Sequence, residues 1–212
     1  VVMPGGALLL GFMAAALVVL VIPGPGVLYV VARSVAQGYR AGLASVIGLS
    51  VGALVHVAAA TVGLSAILLT SATAFGIVKL LGAGYLIYLG ISTFLNRNAV
   101  VGAATATPLS LYRLFMDGVI VSVFNPKIAV FFLAFLPQFI EPAQGEVPRQ
   151  ILLLGLIYVG LAFLTDSAYA VLAGGLRHWV GGRLMQGPWA RYVIGSLYVG
   201  LGVNAALTGR RQ

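Results

Sequence analysis

The chain has 212 residues, 61% of them hydrophobic and only 8% charged, whereas a soluble domain carries about 25% charged residues. No core of this length hides so much apolar surface, so the chain reads as an integral membrane protein. The formal net charge is +8, but the arginines are scattered at segment ends rather than interleaved with aromatics on one face, which excludes a nucleic-acid surface; cysteine is absent, which excludes disulfides and cysteine metal sites.

A membrane-crossing helix needs about 20 apolar residues, and six candidates follow in order. The first covers residues 5–32. It lacks a charged leader and a small-residue cleavage site, so it is expected to be a retained span rather than a signal peptide. Residues 33–40 read as a short polar turn. The second span covers 41–68, a weakly polar turn follows at 69–74, and the third span covers 75–95. Residues 96–110, rich in small residues and threonine, read as an exposed linker. The fourth span covers 111–140, residues 141–148 form a loop, the fifth span covers 150–173, and a glycine-rich basic stretch leads to the sixth at 189–207.

The predicted fold is thus all-α: one transmembrane domain over 1–212, with halves of about 1–95 and 111–212. An odd number of spans per half makes the second half enter the membrane from the opposite side. The halves are then inverted repeats, the arrangement behind many alternating-access transporters. The loops after spans one, three and five carry Arg33, Arg40, Arg97, Arg113, Arg177, Arg183 and Arg191; the opposite side carries Arg149, Arg210, Arg211 and two glutamates. Basic loops stay in the cytoplasm, which predicts both termini outside it.

Two spans are interrupted. Span one contains Pro23-Gly24-Pro25-Gly26, and span four contains Asn125-Pro126-Lys127. Proline removes a backbone donor and clashes with the preceding turn. Orphaned backbone groups are costly in hydrocarbon and are tolerated only where protein or a wet cavity surrounds them. Matched breaks in two halves point to a transporter's binding site. This marks Pro23, Gly24, Pro25, Asn125, Pro126 and Lys127 as candidate substrate contacts, against the alternative of plain kinks. Asn125 either bridges carbonyls that Pro126 leaves unpaired or contacts a ligand.

Few ionisable groups fall within spans: His56, Lys79, Lys127 and Asp166, with Asp117 near an end. A charge at the bilayer centre costs about 2.5–3.5 kcal/mol on insertion scales, so such residues face the bundle interior or water. Asp166 lies mid-span, with Ala162, Tyr169, Ala170 and Ala173 on its face. It is a candidate for holding a substrate ammonium or the driving proton, the alternative being a structural partner of Lys79, Lys127 or a hydroxyl. His56 is a candidate proton relay, or a neutral histidine bonded within the bundle. Lys127 is suited to neutralise a substrate carboxylate or to hold Asp166 charged; Lys79 is placed to snorkel to the interface. Gly48 and Gly52, one turn apart, read as a helix-packing face. The chain has no HExxH zinc motif and no Walker A sequence, so neither a metal enzyme nor an ATP-driven pump is expected, and no cofactor is implied.

The ordered set Pro23-Gly24-Pro25, Gly38-Tyr39-Arg40-Ala41-Gly42, the run from Lys79 to Gly90, Asn125-Pro126-Lys127, Pro137-Gln138-Phe139 and Asp166 resembles the LysE/RhtB family of amino-acid exporters over nearly the whole length. The resemblance implies a bacterial inner-membrane exporter of six spans, with an amino acid as substrate, the proton gradient as drive, the bilayer as medium, and a homodimer as a compatible assembly. The residues alone leave other readings open: export of a metal cation or another small solute, a passive channel, or a subunit of a larger complex.

Overall fold

A computed structural model describes residues 5–64, Ile91 and 109–175. The third and sixth predicted spans, most of the linker, and Lys79 and His178 lie outside the described residues. Those described are helical, with no strand among them. The elements are α1 (Gly6–Val21), α2 (Pro25–Gln37), α3 (Tyr39–Ala59, continued by a π-helical turn Ala60–Leu64), α4 (Leu111–Val123), α5 (Pro126–Val130, continued by turns Phe131–Phe135 and Leu136–Phe139), a short turn Pro142–Gln144, and α6 (Val147–Gly175).

Two stretches, Tyr39–Gly63 and Val147–Gly175, are long and apolar enough to cross a membrane unbroken. Two further pairs qualify when taken together: Gly6–Val21 with Pro25–Gln37, bent by 54°, and Leu111–Val123 with Pro126–Phe139, bent by 43°. The breaks fall at Pro23–Pro25 and Asn125–Pro126, where the sequence placed them. Leucine, valine and phenylalanine side chains on the outer faces of α1, α3 and α6 are exposed, among them Leu10, Val51, Leu54, Leu156 and Leu164. In water such a surface aggregates; in a bilayer it meets hydrocarbon. The chain is a multi-pass membrane protein.

The expected polar turn at 33–40 is a single residue. Helix α2 continues through Arg33 and Ser34 to Gln37, and only Gly38, with φ 88°, separates it from α3. The polar residues there have helical work. The Arg33 guanidinium lies 5.5 Å from the Tyr29 ring centroid. The Gln37 side-chain amide makes two hydrogen bonds with the Leu109 peptide, donating to its carbonyl (2.9 Å) and accepting from its amide (3.1 Å). Polarity alone therefore misread a helix end as a loop.

Helix α3 is the central strut, packed on α4 and α6. The α3–α4 crossing is set by glycines. A Cβ on Gly48 would stand 2.0 Å from the Phe115 carbonyl oxygen, and one on Gly118 would stand 2.5 Å from that of Ser45. No rotamer change relieves a backbone clash, so only glycine allows the two helices this close. Gly48 and Gly52 thus serve packing, as their spacing suggested. Below the breaks an aromatic cluster fills the core: Phe131 stacks on Tyr158 at 4.2 Å, and Phe12 meets Phe139 edge-on at 5.3 Å. The ends of the helices sort into two groups. Gln37, Leu109, and the close approach of Gly174 to Tyr39 lie at one end. At the other, Phe12 of α1 packs near Phe139, beside the 141–146 loop, which Gln150 pins through Glu141 and Gly145.

Candidate functional site

Each proline break leaves a carbonyl without its helical partner, four residues earlier. Pro25 has no amide to offer Val21, and Pro126 has none for Ser122. Both carbonyls are met by side chains from unbroken helices. Tyr169 of α6 donates its hydroxyl to the Val21 carbonyl at 2.7 Å. His56 of α3 lies with Nε2 3.0 Å from the Ser122 carbonyl, which also accepts the Asn125 amide. A carbonyl only accepts, so Nε2 carries the proton in this contact. The bracing is crossed: a helix of the second half supports the break in the first, and a helix of the first half supports the break in the second.

A third contact ties the two breaks to each other. Lys127, buried, reaches from the start of α5 and donates its ammonium to the Ile22 carbonyl at 2.5 Å. Ile22 caps the carboxyl end of α1, where the helix dipole favours a cation. The lysine stem passes directly over Gly24: a Cβ there would lie 2.9 Å from Lys127 Cδ. Asn125 acts as the N-cap of α5, its Oδ1 accepting from the Lys127 amide at 3.0 Å. Its amide group faces Gly26, whose missing Cβ leaves space 3.6 Å from Asn125 Nδ2. Asn125 therefore satisfies an orphan amide rather than the carbonyls freed by Pro126.

Between the breaks lies a cavity of about 40 Å³, room for roughly three water molecules. Gly24, Gly26, Asn125 and Lys127 from the breaks line it, with Ser50 of α3 and Tyr158, Ala162 and Asp166 of α6; its remaining walls are apolar. The first intrahelical bond of α2 runs from the Leu28 amide to Gly24, so the Gly26 and Val27 amides precede the hydrogen-bonded ladder. One lysine and one carboxylate thus face the same small space. Asp166 and Lys127 are not within ion-pair distance of each other. Among the described residues the ion pairs are instead Arg113–Asp117, at 3.0 Å, and Arg149–Glu146, both near helix ends.

Of the residues singled out from the sequence, Gly24, Asn125, Lys127 and Asp166 line the cavity, whereas Pro23, Pro25 and Pro126 do not and only flank residues that do. His56 does not line it; its ring stacks on Phe132 with centroids 6.4 Å apart. Tyr169 and Tyr158 were not selected. Tyr169 stands one turn beyond Asp166 on the same helical face, a spacing that carries the signal. The stretch Gly48-Leu49-Ser50-Val51-Gly52 has G-x-S-x-G lettering, but a nucleophile elbow requires a strand-to-helix turn. Here it lies inside α3, with the Ser50 hydroxyl donated to the Val46 carbonyl at 3.0 Å.

A membrane-embedded helical bundle whose two broken helices meet at a small charged cavity defines a transporter rather than an enzyme. The chain belongs to the LysE type translocator family, which it matches over residues 17–209. It is 36% identical over 160 residues to the homoserine/homoserine lactone efflux protein of Salmonella typhimurium, covering 76% of this chain and 77% of that protein. It is 30% identical over 197 residues to the leucine efflux protein of Salmonella choleraesuis, covering 92% of each. It is also 31% identical over 201 residues to an uncharacterized membrane protein of Vibrio cholerae, covering 93% of this chain and 95% of that one. No solved structure matches it.

Proposed function

We propose that the protein exports amino acids from the cytoplasm across the bacterial inner membrane, by alternating access at the cavity between the two breaks and at the expense of the proton gradient. The single observation that carries this reading is the cavity itself, which sets one ammonium, Lys127, and one carboxylate, Asp166, beside the helix breaks. A zwitterion needs one partner of each sign. Its carboxylate is served by Lys127 and the first-turn amides of α2, its ammonium by Asp166. The efflux relatives named for homoserine and leucine support the same class of substrate. An amino acid is larger than the present cavity, so the broken helices must part to admit it.

The single-domain architecture proposed is two inverted repeats of three spans, with the linker at 96–110. The crossed bracing and the matched order of a bent helix pair followed by a straight helix support it. So does the end-to-end sorting: α4 starts at the end of the bundle where α2 finishes.

The test is flux through the purified protein in liposomes. Saturable counterflow of a labelled neutral amino acid such as homoserine or leucine is expected, with accumulation when a proton gradient is imposed. Unsaturable leak would indicate a channel, and inertness towards every amino acid would overturn the proposal. Orientation is tested separately. With no native cysteine, a cysteine at Ala143, in the exposed loop, should react from outside the cell with an impermeant thiol reagent. Labelling only by membrane-permeant reagents would place the termini in the cytoplasm.

A further inference from the structure

We propose that the carboxyl end of α1 is a binding seat for a primary ammonium group, filled by Lys127 in the empty transporter and ceded to the substrate's own ammonium when an amino acid enters. The inference rests on the export reading above and adds to it the place and the order of the exchange.

Four observations carry it. The Ile22 carbonyl ends a half-helix and so presents partial negative charge into protein rather than to solvent. The group that meets it is a tethered cation from the other break, 105 residues away in sequence, at 2.5 Å. The route of that tether is built: the Lys127 stem fits where any side chain on residue 24 would collide with it, 2.9 Å from a Cβ on Gly24. Asp166 lines the same cavity without an ion-pair partner in the described residues. A second ammonium arriving there meets the Asp166 carboxylate in the same cavity wall as Lys127, the residue that occupies the Ile22 carbonyl.

The exchange balances charge at each step. Before binding, Lys127 sits on the Ile22 carbonyl and bridges the two breaks. On binding, the substrate ammonium takes the carbonyl and Asp166, and Lys127 turns to the substrate carboxylate. The bridge between the breaks is then released, and the two half-helices are free to move apart. A ligand lacking the amino group offers nothing to displace Lys127 and leaves the bridge closed.

The experiment is chemical rescue in liposomes. Lys127→Ala should lose counterflow by about tenfold or more, the effect of removing one partner of a buried charged contact. Added n-propylamine or n-butylamine, the length of the missing stem, should restore several-fold of that loss, whereas tetramethylammonium, which has no N–H, should not. Recovery by no amine, or by all cations alike, overturns the proposal, as does full activity of the variant. Wild-type counterflow run in parallel separates the two readings: an inert wild type sinks the export reading, an active wild type with an unrescued variant sinks only the seat. Should Lys127→Ala fail to insert, Lys79→Arg leaves a single lysine. Its side-chain nitrogen, labelled with 15N, should shift on adding the amino acid and stay unmoved on adding the corresponding α-hydroxy acid. Equal response to both ligands, or to neither, counts against the seat.

Discussion

Asp166→Asn is expected to abolish proton-driven accumulation. The asparagine keeps the shape of the side chain and its place beside Ala162 in the cavity wall, but it cannot ionise. A charged contact out of bulk water is worth about 2–5 kcal/mol, so roughly thirtyfold to a few thousandfold is the range of loss expected. The assay also assigns the role. If Asp166 holds the substrate ammonium, downhill exchange of labelled for unlabelled amino acid fails as well. If it carries the driving proton, exchange partly survives while accumulation is lost. The structure favours the first outcome, because the Asp166 carboxylate and the Lys127 ammonium face one space barely large enough for a few waters. Full activity in both assays would reduce Asp166 to a structural partner in the bundle.

His56 offers the contrast. Its place in a span made it a candidate for moving protons, yet its ring lies against Phe132 with Nε2 on the Ser122 carbonyl. That geometry suits a fixed brace for the second break. His56→Gln retains a side-chain donor of similar reach, and is expected to leave accumulation far less affected than Asp166→Asn. Equal loss in the two variants would return His56 to the proton path.

The positions of the breaks were legible in the sequence because proline acts on its own helix: its effect needs no knowledge of neighbours. The same holds for the glycines of α3, whose spacing alone aligns them on one face. The charged pair was legible by type and depth, since few ionisable groups fall in apolar runs. What joins the breaks was not legible. That Tyr169 meets the Val21 carbonyl, that His56 meets Ser122, and that Lys127 meets Ile22 are contacts across 148, 66 and 105 residues of chain. They follow from how helices cross, which the local pattern does not specify. The helical course of 33–37 was missed for a related reason. Arginine, serine and glutamine resemble loop residues until Tyr29, Gly42 and Leu109 are placed beside them. The Ser34 hydroxyl, for instance, occupies the space that a Cβ on Gly42 would need, 1.9 Å away.

Pro25→Ala should leave the protein as abundant as before and transport poorly. Pro25 stands at the first position of α2, where proline is tolerated but not required and alanine is a good helix former, so insertion and folding are not the expected casualties. The new amide at residue 25 is the natural partner of the Val21 carbonyl, and it competes directly with the Tyr169 hydroxyl now 2.7 Å away. As α1 extends towards α2, the Gly26 amide comes into line with the Ile22 carbonyl and competes with Lys127 in the same way. Both tethers to the first break weaken together, and the 54° bend that opens the cavity relaxes, although Pro23 still leaves a local kink. A double-mutant cycle reads this out. In the wild-type background Tyr169→Phe deletes one hydrogen bond, worth about 1 kcal/mol, and should slow counterflow several-fold. In the Pro25→Ala background the same change should cost almost nothing, because the hydroxyl has already lost its acceptor. Pro126→Ala should behave alike at the second break, with His56→Phe, which keeps a ring but deletes the donor to the Ser122 carbonyl, as its partner substitution. Strictly additive effects in both cycles, or normal transport by both proline variants, would mean that the side chains and the breaks act separately and that substrate passes elsewhere.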